Sequence, residues 1–321
     1  NTSNDINSLV SKYIFIRILS SPAELILYVL IGLYIGIQKT NISSITVIFY
    51  SILNIVLSAV LVIKFDMNIT GVALGTLLSS YVAAIISLIF TYNFFCKKIK
   101  IIPRLKTNLL NRKKIIKLFT INIDIFIRTV FLTFAFLWIN YLSSKIGANY
   151  IAVNTILLQL ITIAAFFLDA YAYSTEGVVG YTIGKKSEKN FLLAVNNSLV
   201  LSFFTGILIG LFYIFFSKAI INLITNLDII RLNSYEYIFW IVLIPPIASI
   251  CYQLDGIFIG ATETRSMRNS MIISVITYIF ISLSFLELLE NHGIWISLII
   301  FMVLRSITLF FSFNNIMNKF K

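Results

Sequence analysis

Residues 199–216 read LVLSFFTGILIGLFYIFF, eighteen positions in a row without a charged side chain. A second stretch, 294–313, carries only Arg305. A helix needs roughly 20 apolar residues to cross the hydrocarbon core of a bilayer. The strands of a membrane barrel alternate apolar and polar positions over shorter segments, and neither stretch alternates. Water cannot satisfy backbone N–H and C=O groups inside a membrane, so a continuous apolar run of this length must bond to itself as a helix.

The rest of the chain has the same character. Of 321 residues 59% are hydrophobic and 12% charged, with a mean hydropathy of +0.95. A soluble domain carries about 25% charged residues, so this chain has too few to cover its own surface in water. The pattern predicts an all-α polytopic membrane protein with nine spans, at about 18–37, 43–64, 69–95, 118–142, 149–174, 191–217, 235–260, 268–288 and 293–314. Short polar breaks separate them, such as Gln38–Asn41, Asp66–Asn68 and Glu263–Arg268. Cys96 and Cys251 both lie at or inside apolar runs and imply no disulfide framework. The chain begins with Asn1 rather than Met, as a fragment would.

Lysine and arginine set the orientation. One set of alternate loops holds 17 of them: Lys39, nine between Lys97 and Lys117, Lys185, Lys186, Lys189, Arg265, Arg268, Lys319 and Lys321. The opposite set holds six: Lys12, Arg17, Lys64, Lys145, Lys218 and Arg231. The cytoplasmic side takes the excess, which places the C-terminus inside and, with nine spans, Asn1 outside. The net charge of +12 is mostly this topology signal and needs no nucleic acid to explain it. The long basic connection at 98–117 reads as a cytoplasmic linker, either a topological anchor or a segment that also touches anionic lipid.

An internal repeat organises these spans. Residues 21–40, SPAELILYVLIGLYIGIQKT, superimpose without a gap on 245–264, PPIASICYQLDGIFIGATET, at an offset of 224. Pro22 falls on Pro246, Tyr28 on Tyr252, Gly32 on Gly256, Gly36 on Gly260 and Thr40 on Thr264. Spans one to three then repeat spans seven to nine, and spans four to six are left without a partner. The expected parent has twelve helices in two parallel sixes, with its first three absent here. In that scheme 1–97 is the second half of an N-lobe, 98–117 the linker and 118–321 a complete six-helix C-lobe. Parallel repeats of this kind are a transporter architecture.

Several stretches resemble the MATE (multidrug and toxic compound extrusion) family, and within it the DinF-like branch. They are Tyr13–Pro22, Leu53–Ser58, Asn68–Gly75, Asp124–Thr129, Leu168–Gly184 (LDAYAYSTEGVVGYTIG) and Leu254–Met271 (LDGIFIGATETRSMRNSM). The resemblance covers essentially the whole chain. It implies a secondary antiporter of the bacterial inner (plasma) membrane that exports cationic or amphiphilic compounds by alternating access, in exchange for entering H⁺ or Na⁺. It also implies a monomer that needs no ATPase partner and no cofactor. In H⁺-coupled members of that branch the coupling acid sits on the first helix, absent from this sequence. Na⁺-type members use carboxylates on the helices corresponding to 118–142 and 235–260. Asp124 and Asp255 lie on those helices but nearer the cytoplasmic ends. The branch favours H⁺.

Ionisable groups within spans are costly and mark function by default. Here, in spans or just past their ends, they are Glu24, Asp124, Arg128, Asp169, Glu176, Asp255 and Arg305. Asp124 and Arg128 stand four apart, so they share a helix face and either pair with each other or join a wider network. Asp169, Tyr173 and Glu176 follow at steps of four and three, one polar stripe if the helix runs past 174. That stripe either faces a cavity or bonds structurally to Arg128 or Arg305. Asp255, with Gln253 beside it, stands where the first half of the repeat has Ile31, which makes it specific to the second half. Glu24, just after Pro22, reads as a cap at a helix end.

No enzyme constellation appears. The single histidine, His292, lies in a predicted outer loop, so no His-based metal cluster or triad can form. Two other readings compete with an exporter. A lipid-linked saccharide flippase of the related superfamily expects a basic central cavity, against the acids counted above. A membrane enzyme or scaffold leaves the repeat unexplained.

Overall fold

The computed structural model of the chain describes residues 4–94 and 111–320. Two compact units divide it, Asn1–Leu109 and Leu110–Lys321. Unit 1 holds α1 (Asn4–Gly36), α2 (Thr40–Ile63) and α3 (Asn68–Asn93). Unit 2 holds α4 (Arg112–Ile146), α5 (Ala148–Gly184), α6 (Glu188–Ile224), α7 (Asp228–Glu236), α8 (Ile238–Gly260), α9 (Thr264–Phe311) and α10 (Phe313–Met317). Among the described residues eight helices are long and apolar enough to cross a membrane.

The eighth of these is two spans. Glu290 lies inside α9 with φ 49° and ψ −125°, which no helix tolerates. A Cβ added at Gly293 would fall 2.2 Å from the Phe285 carbonyl oxygen, although a straight helix would hold those residues about 12 Å apart. Ser270 donates to the Arg305 carbonyl at 3.2 Å and meets Thr308 Oγ1 at 2.5 Å. The helix therefore folds back at Glu290, and its arms, 264–289 and 291–311, lie side by side. They match the two last expected spans.

Other boundaries shift. α1 starts at Asn4 rather than 18, and Pro22 lies inside it. A proline in a membrane helix is tolerated when neighbouring groups take up the freed carbonyl. Accordingly Glu24 caps nothing: mid-helix, it accepts from Arg17 at 2.7 Å and from Ser20 at 2.9 Å. α4 starts at Arg112, where the Asn111 side chain accepts from the Lys113 amide at 3.0 Å. The last six residues of the expected 98–117 linker are thus helical, and 98–110, like Cys96, fall outside the described residues. The short helix α7 begins in the break expected between the spans at 191–217 and 235–260, and its Arg231 holds the preceding turn through the Thr225 carbonyl at 2.8 Å.

The repeat is visible in the backbone. After α1, Gln38 N–H donates to the Ile35 carbonyl and Lys39 N–H to that of Tyr34; after α8, Thr262 donates to Ile259 and Glu263 to Phe258. Each pair is the same bond displaced by 224 residues. Gln38 and Thr262 both take the left-handed conformation such a helix stop requires, at φ 58° and 57°. Asp66 and Glu290, also 224 apart, share a positive φ, 50° and 49°.

Small residues set how closely unit 2 packs. α8 is the most buried of its spans. On one side a Cβ at Gly256 would sit 2.4 Å from the Ala172 carbonyl oxygen of α5, and one at Gly260 would sit 2.5 Å from that of Glu176. On the other, a Cβ at Gly206 of α6 would sit 2.7 Å from the Pro246 Cα, and one at Gly210 would sit 2.7 Å from the Val242 carbonyl oxygen. Packing through glycine lets membrane helices approach backbone to backbone. The adjoining core is filled by Tyr213, Trp295, Met271 and Leu298, all nearly inaccessible.

Gly256→Ala should therefore lower thermal stability in detergent by about 1–3 kcal/mol. Gly184→Ala, where nothing lies within 4 Å of the added carbon, should not. Equal melting curves for the two variants would contradict this account of the α5–α8 approach.

Candidate functional site

Asp255 enters the structure one residue before the glycine that brings α8 against α5. Its side chain is 8% exposed, and its Oδ2 accepts from two guanidinium groups, Arg128 of α4 and Arg305 of the second arm of α9. Arg305 is itself 3% exposed in its side chain. One carboxylate thus joins three helices. Oδ1 of Asp255 and Nε of Arg128 have no hydrogen-bond partner among the described residues.

Of the two arrangements open to Asp124 and Arg128, the structure has the wider network and not the pair. Asp124, four residues earlier on α4, is buried and turns to the start of α9. It accepts from Arg268 at 2.5 Å and from Thr264 at 3.0 Å. Sharing a helix face permits pairing, but the partners across the interface are closer in space and carry more hydrogen bonds. Asp124 and Asp255 are therefore each bonded to arginine.

The stripe on α5 differs. The helix continues to Gly184, so Asp169, Tyr173 and Glu176 do share a face. That face flanks the row Leu168, Ala172, Thr175 and Val179, which is buried. Asp169 and Glu176 are half-buried and Tyr173 exposed. Asp169 interacts electrostatically with Asp255, Arg128 and Arg305, but has no hydrogen bond or ion pair to either arginine. Tyr173 senses Asp169, Glu176 and Arg128. Glu176 makes no side-chain hydrogen bond or ion pair among the described residues. Gln253 is fully buried on α8 and donates to Thr175 Oγ1, while its own carbonyl oxygen is unpartnered.

Arg128, Arg305, Asp255 and Asp169 together form a cluster of formal charge zero. It offers one carboxylate locked between cations and a second, half-exposed, held near them by field alone. No group of three or more His, Cys, Asp or Glu able to hold a metal ion occurs among the described residues.

Sequence reasoning named the acids more readily than their partners. Arg305 was visible as the lone charge in 294–313. Arg268 read as a loop cation, and nothing in the sequence ties it to Asp124 across 144 positions.

Residues 125–285 match the MatE family. The chain is 33% identical over 301 residues to DNA damage-inducible protein F of Escherichia coli (strain K12), an alignment covering 93% of this chain and 64% of that protein. It is 25% identical over 196 residues to the multidrug export protein MepA of Staphylococcus aureus (strain bovine RF122 / ET3-1), covering 61% of the chain and 42% of that protein. Among solved structures it superimposes with a TM-score of 0.86 on an outward-facing multidrug resistance MATE family transporter of the MOP superfamily. That match has 18% identity and covers 96% of this chain and 69% of that one. The chain thus spans under two thirds of the length of the curated relatives it matches.

Asp255→Asn should cost about 3–5 kcal/mol, because it leaves two buried guanidiniums without their carboxylate. The double variant Asp255→Asn/Arg305→Met should lose clearly less than the sum of the two single changes. Thermal unfolding in detergent measures both, and additive losses would contradict the buried triad.

Proposed function

Because this chain belongs to the MatE family of membrane transporters, we propose that it is part of a secondary antiporter exporting organic cations, drugs or metabolites. The transport is driven by entering H⁺, with Na⁺ the alternative ion, and proceeds by alternating access. Asp169 carries this reading. It is a half-exposed acid beside a buried ion triad and has no cation bonded to it. An acid in that position can hold a proton at one stage of a cycle and a cationic substrate at another.

In this reading the site residues divide their roles. Asp255 and Arg128, with Arg305, hold the electrostatic frame. Asp169, Tyr173 and Glu176 form the exchange face, where the Tyr173 ring supplies a surface suited to cations. Gln253 and Asp124 fix α8 and the start of α9 in place. No cofactor, nucleic acid or ATPase partner is required, and the working unit is a monomer. The similarity to a bacterial relative supports a bacterial inner membrane location, and the excess of Lys and Arg on one set of loops supports a C-terminus in the cytoplasm. The repeat at 224 residues supports a twelve-helix architecture of two parallel sixes. The rival reading, a lipid-linked saccharide flippase, expects net positive charge at the centre; the cluster around Asp255 has a formal charge of zero.

The test is dye or drug efflux by the full-length protein in everted membrane vesicles. A protonophore should abolish transport, and collapse of the sodium gradient alone should leave it intact. Transport that survives collapse of both gradients would sink the antiporter reading.

A further inference from the structure

Near the Asp124–Arg268 pair, the first turns of α4, the turn between α8 and α9 and the start of α9 line an open surface cavity of about 450 Å³, in which Lys113, Lys117 and Arg265 are exposed. Its wall carries three cations, Lys113, Lys117 and Arg265, and two acids, Asp124 and Glu263. Both acids are already used. Asp124 binds Arg268 and Thr264, and Glu263 pairs with Lys319 at 2.6 Å. The side chains of Lys113, Lys117 and Arg265 make no hydrogen bond or ion pair among the described residues. The chain leading into α4 cannot balance them, because residues 95–110 contain five basic residues and no acid.

Geometry gathers this surplus in one place. Lys113, Lys117 and Thr120 follow at steps of four and three, so they share one face of α4. Arg265 is the second residue of α9 and faces them across the cavity. The apolar part of α4 begins at Leu118, directly after Lys117. The cavity therefore lies at the boundary between membrane and water, the level of phospholipid phosphates.

We propose that this cavity binds a phosphate ester anion, the chemistry shared by an anionic phospholipid headgroup and soluble phosphate. Arg265 matches two phosphate oxygens with its planar fork, and Lys113 and Lys117 act as point charges. The occupant joins the start of α4 to the start of α9, the two elements that Asp124 and Arg268 also join. The site is independent of the exchange face on α5 and stands whether or not the antiport reading does.

The test uses the purified full-length protein with two probes: mixed phosphatidylglycerol and phosphatidylcholine, followed by native mass spectrometry, and inorganic phosphate without lipid, followed by thermal unfolding. The cavity variant is K113Q/K117Q/R265Q. A matched variant, R112Q/K114Q/K189Q, removes the same charge from outside the cavity. A phosphatidylglycerol preference that falls at least about tenfold in the cavity variant, and is kept in the matched one, supports the site with a lipid headgroup as its occupant. Stabilisation by inorganic phosphate with the same dependence supports it with a soluble occupant. Equal losses in both variants, or no response to either probe, would overturn it.

Discussion

A carboxylate bonded to two guanidiniums inside a membrane protein constrains everything around it. Removing an ion from water costs several kcal/mol even after the protein relaxes. Asp255, Arg128 and Arg305 can be buried only if α4, α8 and the second arm of α9 arrive in one register. The close approaches at Gly256, Gly260, Gly206 and Gly210 secure α8 between α5 and α6, and so fix the height at which Asp255 meets its partners. A larger residue at Gly256 would move the carboxylate as well as the helix.

The repeat explains where this asymmetry comes from. α1 and α8 end in the same turn, with the same backbone bonds and the same left-handed residue. At the position of Asp255, however, the first copy has Ile31. The repeated parts are those that stop helices and reverse the chain. The unrepeated part is the charge. Unit 1 places its own half-buried acid, Glu24, against Arg17 of the same helix.

The helices were legible in the sequence because hydropathy reports the solvent, and a run such as 199–216 admits one secondary structure in lipid. The acids were legible for the same reason, since a charge in such a run is conspicuous. Their pairing was not. Asp124 and Arg128 satisfy the spacing rule for a helical pair, yet each turns to a different neighbour, because the spacing rule knows nothing of helix rotation or of Arg268 and Asp255 across the interface. Helix ends were misread where local signals compete. Pro22 suggested a start but lies mid-helix, and Lys113–Lys117 suggested a loop but form the first turns of α4, whose charged side chains reach water while the backbone stays helical.

The proposed function divides the labour: Asp255 holds the structure together, and Asp169 is the proposed site of ion exchange. Proton release on substrate binding tests it most directly, measured with a pH indicator in weakly buffered detergent solution of the full-length protein. The account predicts that a cationic substrate displaces about one proton per site, that Asp169→Asn abolishes the release, and that Asp124→Asn keeps it. Undiminished proton release from Asp169→Asn would contradict it.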